Sequence, residues 1–256
     1  MVEGSSKGLL RAVDVARDAA LRRAPNGVAY SIYGETALPP EEIARLVQAI
    51  PSVVAGTLTL KEFFFVPLAM SANRRGGDAE TMIATAFTPE LANDAICHRN
   101  VSLEAKEGAA KDGIFLSTRL LGDKFAIAFE LFINVGHAFV ETAGIPPSFS
   151  ELCWSQAKAE VKGETSQDAW EGRTQAFASK GAIDEKGKTT FLEAAFSDAL
   201  AIYLLSLAVD FDYSELRERE YPLLAPQALA ERLRHVAKLF PPNPSYEFAI
   251  KYRRRA

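Results

Sequence analysis

The sequence has little of the residue types from which metal centres and disulfide frameworks are built. Among its 256 residues there are two cysteines and three histidines. Cys97 and Cys153 form no Cys-x-x-Cys pair, so we expect two reduced thiols rather than a crosslinked secreted domain. Cys97 precedes His98, but a zinc site needs three or four ligands and no second cluster lies nearby in the sequence.

Excess charge of one sign and an uninterrupted apolar run are also missing. Lys and Arg number 29 against 33 Asp and Glu, a net charge of −4, which argues against a nucleic-acid partner. The charged N-terminus does not resemble a signal peptide, which predicts a cytoplasmic protein. The most apolar stretch, residues 125–143, contains four polar residues, so we expect no membrane partner. Neither a P-loop nor a Gly-x-Ser-x-Gly motif occurs.

Apolar patterning predicts strands in the first half of the chain and helices in the second. We expect an α+β fold, with a mixed sheet in the N-terminal half packed on a central buried helix over residues 125–143. The hypothesis is one domain of 1–256, with a mixed part, 1–122, and a helical part, 123–256. The predicted strands are 28–33, 53–60, 62–70, 81–87 and 113–117, and the predicted helices are 5–23, 40–50, 88–97, 125–143, 191–209 and 227–240. The polar stretch 157–190 predicts an insertion, either a long loop or a weakly packed helix pair.

The polar residues of the predicted central helix fall on one side of it. They are spaced by four, three and four positions, which places them within roughly 60° of one another around the helix axis. A buried polar stripe is paired, hydrated or functional, because an unpaired buried polar group costs about 1–3 kcal/mol. The stripe therefore predicts either a satisfied core or the wall of a binding cleft. It consists of Glu130, Asn134, His137 and Glu141.

The segment Ile133-Asn134-Val135-Gly136-His137-Ala138-Phe139 resembles the His-Glu-x-Gly-His-Ala-x helix of zincin metallopeptidases. Residues 113–121 resemble the strand and connection that lead into that helix. Residues 194–199, with Asp198, resemble the second helix of the glutamate-ligand branch, the gluzincins, in which an aspartate orients a metal-binding histidine. The resemblance covers roughly residues 113–207 and implies a zincin-type fold.

The departures from the zincin pattern imply a pseudopeptidase without zinc. Ile133 stands in place of the first histidine, Asn134 in place of the catalytic glutamate and Ala194 in place of the third ligand. His137 alone is retained of these residues, and one imidazole is a poor zinc site. Asn134 cannot act as a general base. Glu193 is one residue away from the ligand position, about 100° around the helix.

What the resemblance still implies is the peptide cleft, because zincin-type folds hold a peptide as an added strand beside a sheet edge. We therefore expect a non-proteolytic peptide-binding protein that presents a peptide substrate or precursor peptide to a partner enzyme in peptide natural-product maturation. The expected substrate-binding residues are Gly113, Ile114, Phe115, Leu116 and Ser117, taken as an edge strand, together with Asn134, His137 and Asp198.

Two alternatives remain open from the sequence. The protein is an enzyme in the first, with Glu130, His137 and Glu141 as acid/base groups or metal ligands for the modification of a peptide or small molecule. One version of this alternative uses iron as the cofactor, because His137 and Glu141, four residues apart on the helix, could supply two of the ligands. Apart from this version, no cofactor is expected. In the second alternative the protein is a structural partner whose stripe is a satisfied core.

Overall fold

The computed structural model describes residues 9–36, 38–70, 81–84, 96–103, 109–118, 123–179, 182–216 and 221–250. The fold is α+β, with both sheets in the N-terminal half and a helical C-terminal half, which confirms the predicted class. The chain divides into two compact units, residues 1–48 with 58–131 and residues 49–57 with 132–256. The hypothesis of a single domain stays a prediction.

The described elements alternate in the first half of the chain and are helical after residue 124. The strands are β1 (Leu9–Arg11), β2 (Arg22–Arg23), β3 (Ala29–Ile32), β4 (Lys61–Val66), β5 (Leu68–Met70), β6 (Thr81–Ala84), β7 (Cys97–Leu103) and β8 (Lys111–Ser117). The helices are α1 (Ala12–Asp18), α2 (Pro40–Gln48), α3 (Ser52–Thr57), α4 (Lys124–Ala143), α5 (Pro147–Lys158), α6 (Gln167–Ala176), α7 (Glu185–Ala208) and α8 (Pro226–Leu239).

The larger sheet of the first unit has the strand order β2-β3-β4-β8-β7. Its three inner strands run parallel, and β2 and β7 pair antiparallel at the two edges. The inner strands are rich in aromatic and aliphatic residues, and β4 is buried along its whole length, as expected for strands covered on both faces. Phe64 of β4 stacks on Phe115 of β8, with ring centroids 4.7 Å apart.

The prediction that residues 113–117 form an exposed edge is wrong. The strand β8 pairs with β4 on one side and with β7 on the other, and its side chains from Gly113 to Ser117 are buried. An inner strand has both rows of backbone groups hydrogen-bonded within the sheet, so no peptide can add there. The described edge on this side is β7, which is antiparallel to β8 and lies in a stretch for which no strand was predicted.

The pairing of β7 with β8 is interrupted by a bulge. His98 pairs with Phe115 and Val101 with Gly113, so one extra residue lies on β7 between these pairs. Asn100 has φ of +56°, in the left-handed region that Asn tolerates better than most residues. The bulge brings His98 and Val101 to the same face of the sheet. It also breaks the two-residue alternation, which explains why the sequence Cys-His-Arg-Asn-Val-Ser-Leu did not predict a strand.

The first unit also contains a smaller sheet, β1-β6-β5, together with α1, α2 and the first part of α4. Ala12 and Val15 of α1 and Ile83 of β6 pack with Phe64 and Phe115 of the larger sheet in one buried cluster. This cluster covers one face of β4 and β8. The predicted helix 5–23 is therefore shorter, and the part of it before Leu9 lies outside the described residues, as does the predicted helix 88–97 up to residue 95.

The second unit is built around α7, in which thirteen residues are buried. The helix α6 packs closely on α7, and two glycines leave room for this contact. A Cβ on Gly172 would lie 2.7 Å from the Phe191 nitrogen, and a Cβ on Gly187 would lie 2.6 Å from the Ala176 nitrogen. The segment 157–190 is therefore largely helical, and its glycines allow close helix contact. Asp184 caps α7 by accepting a hydrogen bond from the Gly187 N–H at 2.9 Å, so this helix begins earlier than the predicted residue 191.

The predicted strand 53–60 is wrong, since residues 52–57 form α3. Two valines favoured a strand, but tertiary contacts decide here. The Asn243 carboxamide oxygen accepts hydrogen bonds from the Ser52 N–H at 3.0 Å and from the Ser52 hydroxyl at 2.9 Å. A cap supplied by a residue 191 positions away has no local sequence pattern.

Two described helices, α4 and α7, are long and apolar enough to span a membrane by length and composition. Half of the apolar window of α4 and 72% of that of α7 are buried inside the protein. Both therefore fit the core helices of a soluble protein.

Candidate functional site

The four polar residues of α4 differ in their exposure to solvent. Asn134 is buried, Glu130 and His137 are half-buried, and Glu141 is exposed. Each of the four makes contacts of its own, so none is an orphaned polar group. The four residues therefore have the predicted helical spacing, but their side chains range from buried (Asn134) to exposed (Glu141).

Two of the three positions that correspond to zinc ligands, Ile133 and Ala194, carry side chains that cannot coordinate a metal. Ile133 and Ala194 are half-buried, and Glu193 is exposed. The one-residue offset of Glu193 turns its carboxylate to the outside of α7, as the helical geometry predicts. Among the described residues, no group of three His, Cys, Asp or Glu side chains could hold a metal ion. The expectation of no metal, and the iron alternative, both stay predictions.

The glycine of the zincin-like motif lies where α4 meets α7. A Cβ on Gly136 would lie 2.5 Å from the backbone oxygen of Ser197 and 3.1 Å from its Cα. The missing side chain therefore allows the two backbones to touch. The two segments on which the resemblance is based, 133–139 and 194–199, are in direct contact in the second unit.

Gly136→Ala should destabilise the second unit by about 1–3 kcal/mol, because the added methyl group meets backbone that cannot move aside without separating the helices. Urea unfolding followed by tryptophan fluorescence measures this, since both tryptophans, Trp154 and Trp170, belong to that unit. The control is Gly56→Ala in α3, where no atom lies within 4 Å of the new Cβ and helix propensity favours alanine. Equal stability of the two variants would contradict the close contact at Gly136.

Asp198 lies one residue after that contact and is buried. The Thr165 hydroxyl donates a hydrogen bond to its Oδ2 at 2.8 Å. Burial raises the pKa of Asp198 to about 7, although the hydroxyls of Ser166 and Thr165 favour the ionised form. Ser166 is also the N-cap of α6, where its Oγ accepts from the Ala169 N–H at 3.1 Å. Asp198 thus joins α7 to the start of α6.

The sequence did not predict a buried ionic cluster in the second unit. The guanidinium of Arg232 donates to the Glu164 carboxylate at 2.8 Å and to the Gln156 carboxamide oxygen at 2.8 Å. Arg173 donates to the same carboxylate at 2.9 Å. The side chains of Arg232 and Glu164 are fully buried. Arg232 follows Leu229 by three positions and precedes Val236 by four, so its place on the apolar face of α8 could have been found from the helical period.

A cavity of the first unit was also not predicted. It lies between α1, β6 and β7, has a volume of about 550 Å³, and is lined by Ala12, Val13, Thr81 and residues 97–101. The Thr81 hydroxyl and the His98 Nδ1 are 2.6 Å apart. Burial lowers the pKa of His98, which leaves the imidazole neutral at pH 7. Cys97 and His98 are adjacent on a strand, so their side chains project to opposite faces and do not form a metal-binding pair.

The two cysteines form no disulfide. Cys153 is buried, and burial raises the pKa of its thiol to about 12, so the thiol is protonated and unreactive at neutral pH.

Comparison with protein-family models, with curated proteins and with solved structures found no match to the chain. The resemblance to zincins therefore remains a hypothesis from the residues of 113–207.

Proposed function

We propose that the protein is a non-proteolytic peptide-binding protein of the cytoplasm, built on a degenerate zincin-type scaffold. The motif residues support the proposal, because α4 is the next described element after β8, has the expected length and touches the second motif helix at Gly136. The residues at the zinc and base positions cannot perform the family's hydrolysis. A precursor peptide, presented to a partner enzyme, is the ligand class that the resemblance implies.

The single observation that carries the proposal is the position of β7 at the edge of the described sheet. Of the two edges, β2 and β7, we assign the peptide to β7, because β7 lies beside β8, the strand that precedes the motif helix, and the first unit alone supplies this edge. Strand addition gives affinity through backbone hydrogen bonds and specificity through the alternate side chains. This site replaces the inner strand β8 that the sequence suggested.

Ser102 identifies the outward row of backbone groups on β7. The Asp112 N–H donates to the Leu60 oxygen at 3.0 Å, so Asp112 directs its backbone groups away from β7. Ser102 lies opposite Asp112 and therefore forms a non-hydrogen-bonded pair, with its own N–H and C=O pointing to the outer side of β7. Its side chain is exposed.

Ser102→Pro should strongly weaken peptide binding and leave the sheet intact. Proline removes the outward N–H but no ladder bond to β8, and it is tolerated on edge strands. We expect at least a tenfold loss of affinity, measured by anisotropy with labelled peptides recovered from a library of terminally capped nonapeptides. Phe115→Pro would not be informative, because β8 is an inner strand and the change would damage the sheet.

The matched control is Arg23→Pro at the opposite edge of the same sheet. The Ala24 N–H donates to the Val28 oxygen, so Arg23, which pairs with Ala29, also directs its backbone groups outward. This variant should bind peptide as the wild type does. The proposal fails if Ser102→Pro retains full binding, or if hydrogen exchange shows that bound peptide protects residues far from β7.

The alternative enzyme, with Glu130, His137 and Glu141 as its chemical groups, stays a prediction. The different exposure of the three side chains gives it no added support.

A further inference from the structure

A second cavity lies wholly within the second unit, between the end of α7, α8 and the segment 247–250. Its volume is about 510 Å³, and small-molecule sites are typically about 300–1,000 Å³. The segment 247–250 forms one wall of the cavity. The ring of Phe248 in this wall packs edge-on against the buried ring of Tyr203, with centroids 5.2 Å apart, so the wall is anchored to α7.

Aliphatic and aromatic side chains form most of the lining. Ile202, Leu229 and Leu233 are buried and form its inner part, whereas Ala249 is exposed, so the cavity opens to solvent beside the segment 247–250. A hydrocarbon chain that enters this space leaves water, which is worth about fourfold in affinity for each methylene group. The other apolar residues of the lining are Leu207, Ala208, Val209, Phe211, Tyr213, Phe248 and Ile250.

The polar side chains of the lining favour a ligand with a cationic head group. The acidic residues are Asp210 and Glu247, and over the part of the chain that the structure describes no Lys, Arg or His belongs to the lining. The Glu247 carboxylate is exposed and forms no ion pair with another described residue. The Ser206 hydroxyl donates to the Tyr203 oxygen at 2.6 Å, which leaves the Ser206 oxygen to accept a hydrogen bond.

We propose that this cavity binds a small amphiphilic amine, with its aliphatic chain along the apolar lining and its ammonium group beside Glu247 at the mouth. An ammonium group has three N–H donors and no acceptor, which matches side chains that accept hydrogen bonds. A fatty acid of the same length would instead bring a carboxylate towards Glu247. The site belongs to the second unit and the strand β7 to the first, so the two proposals are tested independently.

The test is isothermal titration calorimetry of the full chain with octylamine, octanol and octanoate at pH 7 and low ionic strength. Octylamine should bind about fivefold more tightly than octanol, the upper end expected for an exposed ion pair, and octanoate should bind most weakly. Added salt should reduce the advantage of the amine over the alcohol. From hexylamine to octylamine, affinity should rise about fourfold for each methylene group.

Two variants assign the binding to this cavity. Glu247→Gln should bind octylamine only as tightly as octanol, while its affinity for octanol stays that of the wild type. Ala208→Phe places a ring in the cavity and should weaken binding of all three probes about tenfold. The matched control is Glu151→Gln, at an exposed acid of α5 outside the lining, which should bind as the wild type does.

The proposal is overturned if none of the three probes binds, or if octanoate binds as tightly as octylamine. Unchanged binding of octylamine to Glu247→Gln overturns the assignment of the head group. Unchanged binding to a folded Ala208→Phe overturns the assignment of the cavity. If Ala208→Phe does not fold, Glu247→Gln still decides, because it changes an exposed side chain.

Discussion

Glu164→Gln should destabilise the second unit by about 3–5 kcal/mol, the range expected when one partner of a buried ion pair is removed. The carboxylate accepts hydrogen bonds from Arg232 and Arg173, and its side chain is fully buried. The substitution preserves the shape of the side chain, so no cavity forms. Two guanidiniums would instead face a neutral amide, with one oxygen left to accept and no negative charge to balance them, and Arg232 would keep its hydrogen bond to the Gln156 oxygen.

Arg232→Met should cost less than Glu164→Gln, because Arg173 still neutralises the carboxylate. The double variant Glu164→Gln/Arg232→Met should be more stable than the sum of the single changes predicts, since the buried cation is removed along with its partner. Urea unfolding followed by the fluorescence of Trp154 and Trp170 measures all three variants. An exposed pair, removed by Glu185→Gln beside Lys188, is the control and should change stability by less than about 1 kcal/mol.

The ionic cluster would not form as described if Glu164→Gln unfolded at the wild-type urea concentration. Additive effects in the double variant would show that Arg232 and Glu164 do not interact.

The long helices could be predicted from the sequence because their patterns are local. The helices α2, α4 and α8 begin and end within a few residues of the predicted positions, and the aromatic-rich strands β3 and β4 were also predicted. Each has its own apolar period, and a proline lies at or near the start of α2 and α8. Such features are contained within one segment of the chain.

The remaining elements depend on residues distant in sequence. The helix α3 is capped by Asn243, and β7 has a bulge that interrupts its alternation. That β8 is an inner strand follows from its pairing with β7, which precedes it but was not predicted as a strand. The error moved the candidate peptide site by one strand, from residues 113–117 to β7.

The candidate site residues also include some that a local sequence pattern reveals and others that depend on residues distant in sequence. The polar spacing on α4 was visible in the sequence, but spacing does not determine exposure, and Asn134 is buried while Glu141 is at the surface. Glu164 lies outside the helices, where no period marks a buried carboxylate. The cavity beside β7 was not visible in the sequence, because it depends on α1 and β6 as well as on residues 97–101.

Asp198→Asn should make the protein more stable at pH 8 and hardly change it near pH 4. The pKa of this carboxyl is about 7 in the folded protein and 3.8 as its ordinary value, chiefly because burial disfavours the charge. Between these two pKa values the unfolded chain releases a proton that the folded protein retains. The stability that Asp198 provides is therefore complete below about pH 4 and is lost as the pH rises to about 7.

The linkage sets an upper bound of roughly 4 kcal/mol on this loss, about three pKa units at 1.36 kcal/mol each. The variant's carboxamide cannot ionise, and its oxygen can still accept the hydrogen bond from Thr165. We expect the variant to be more stable than the wild type by about 2–4 kcal/mol at pH 8. Urea unfolding of both proteins at pH 4, 6 and 8 measures the difference, and the three histidines cancel because both proteins contain them.

Asp168→Asn is the matched control, because Asp168 lies in the first turn of α6, is exposed, and raises the pKa of Asp198 through its charge. That variant should keep most of the wild-type pH dependence, since burial is the larger cause. If Asp198→Asn were instead less stable than the wild type at pH 8, the prediction would be wrong. The carboxylate would then be ionised in the folded protein and held by the hydroxyls of Thr165 and Ser166, and stability would fall on acidification instead.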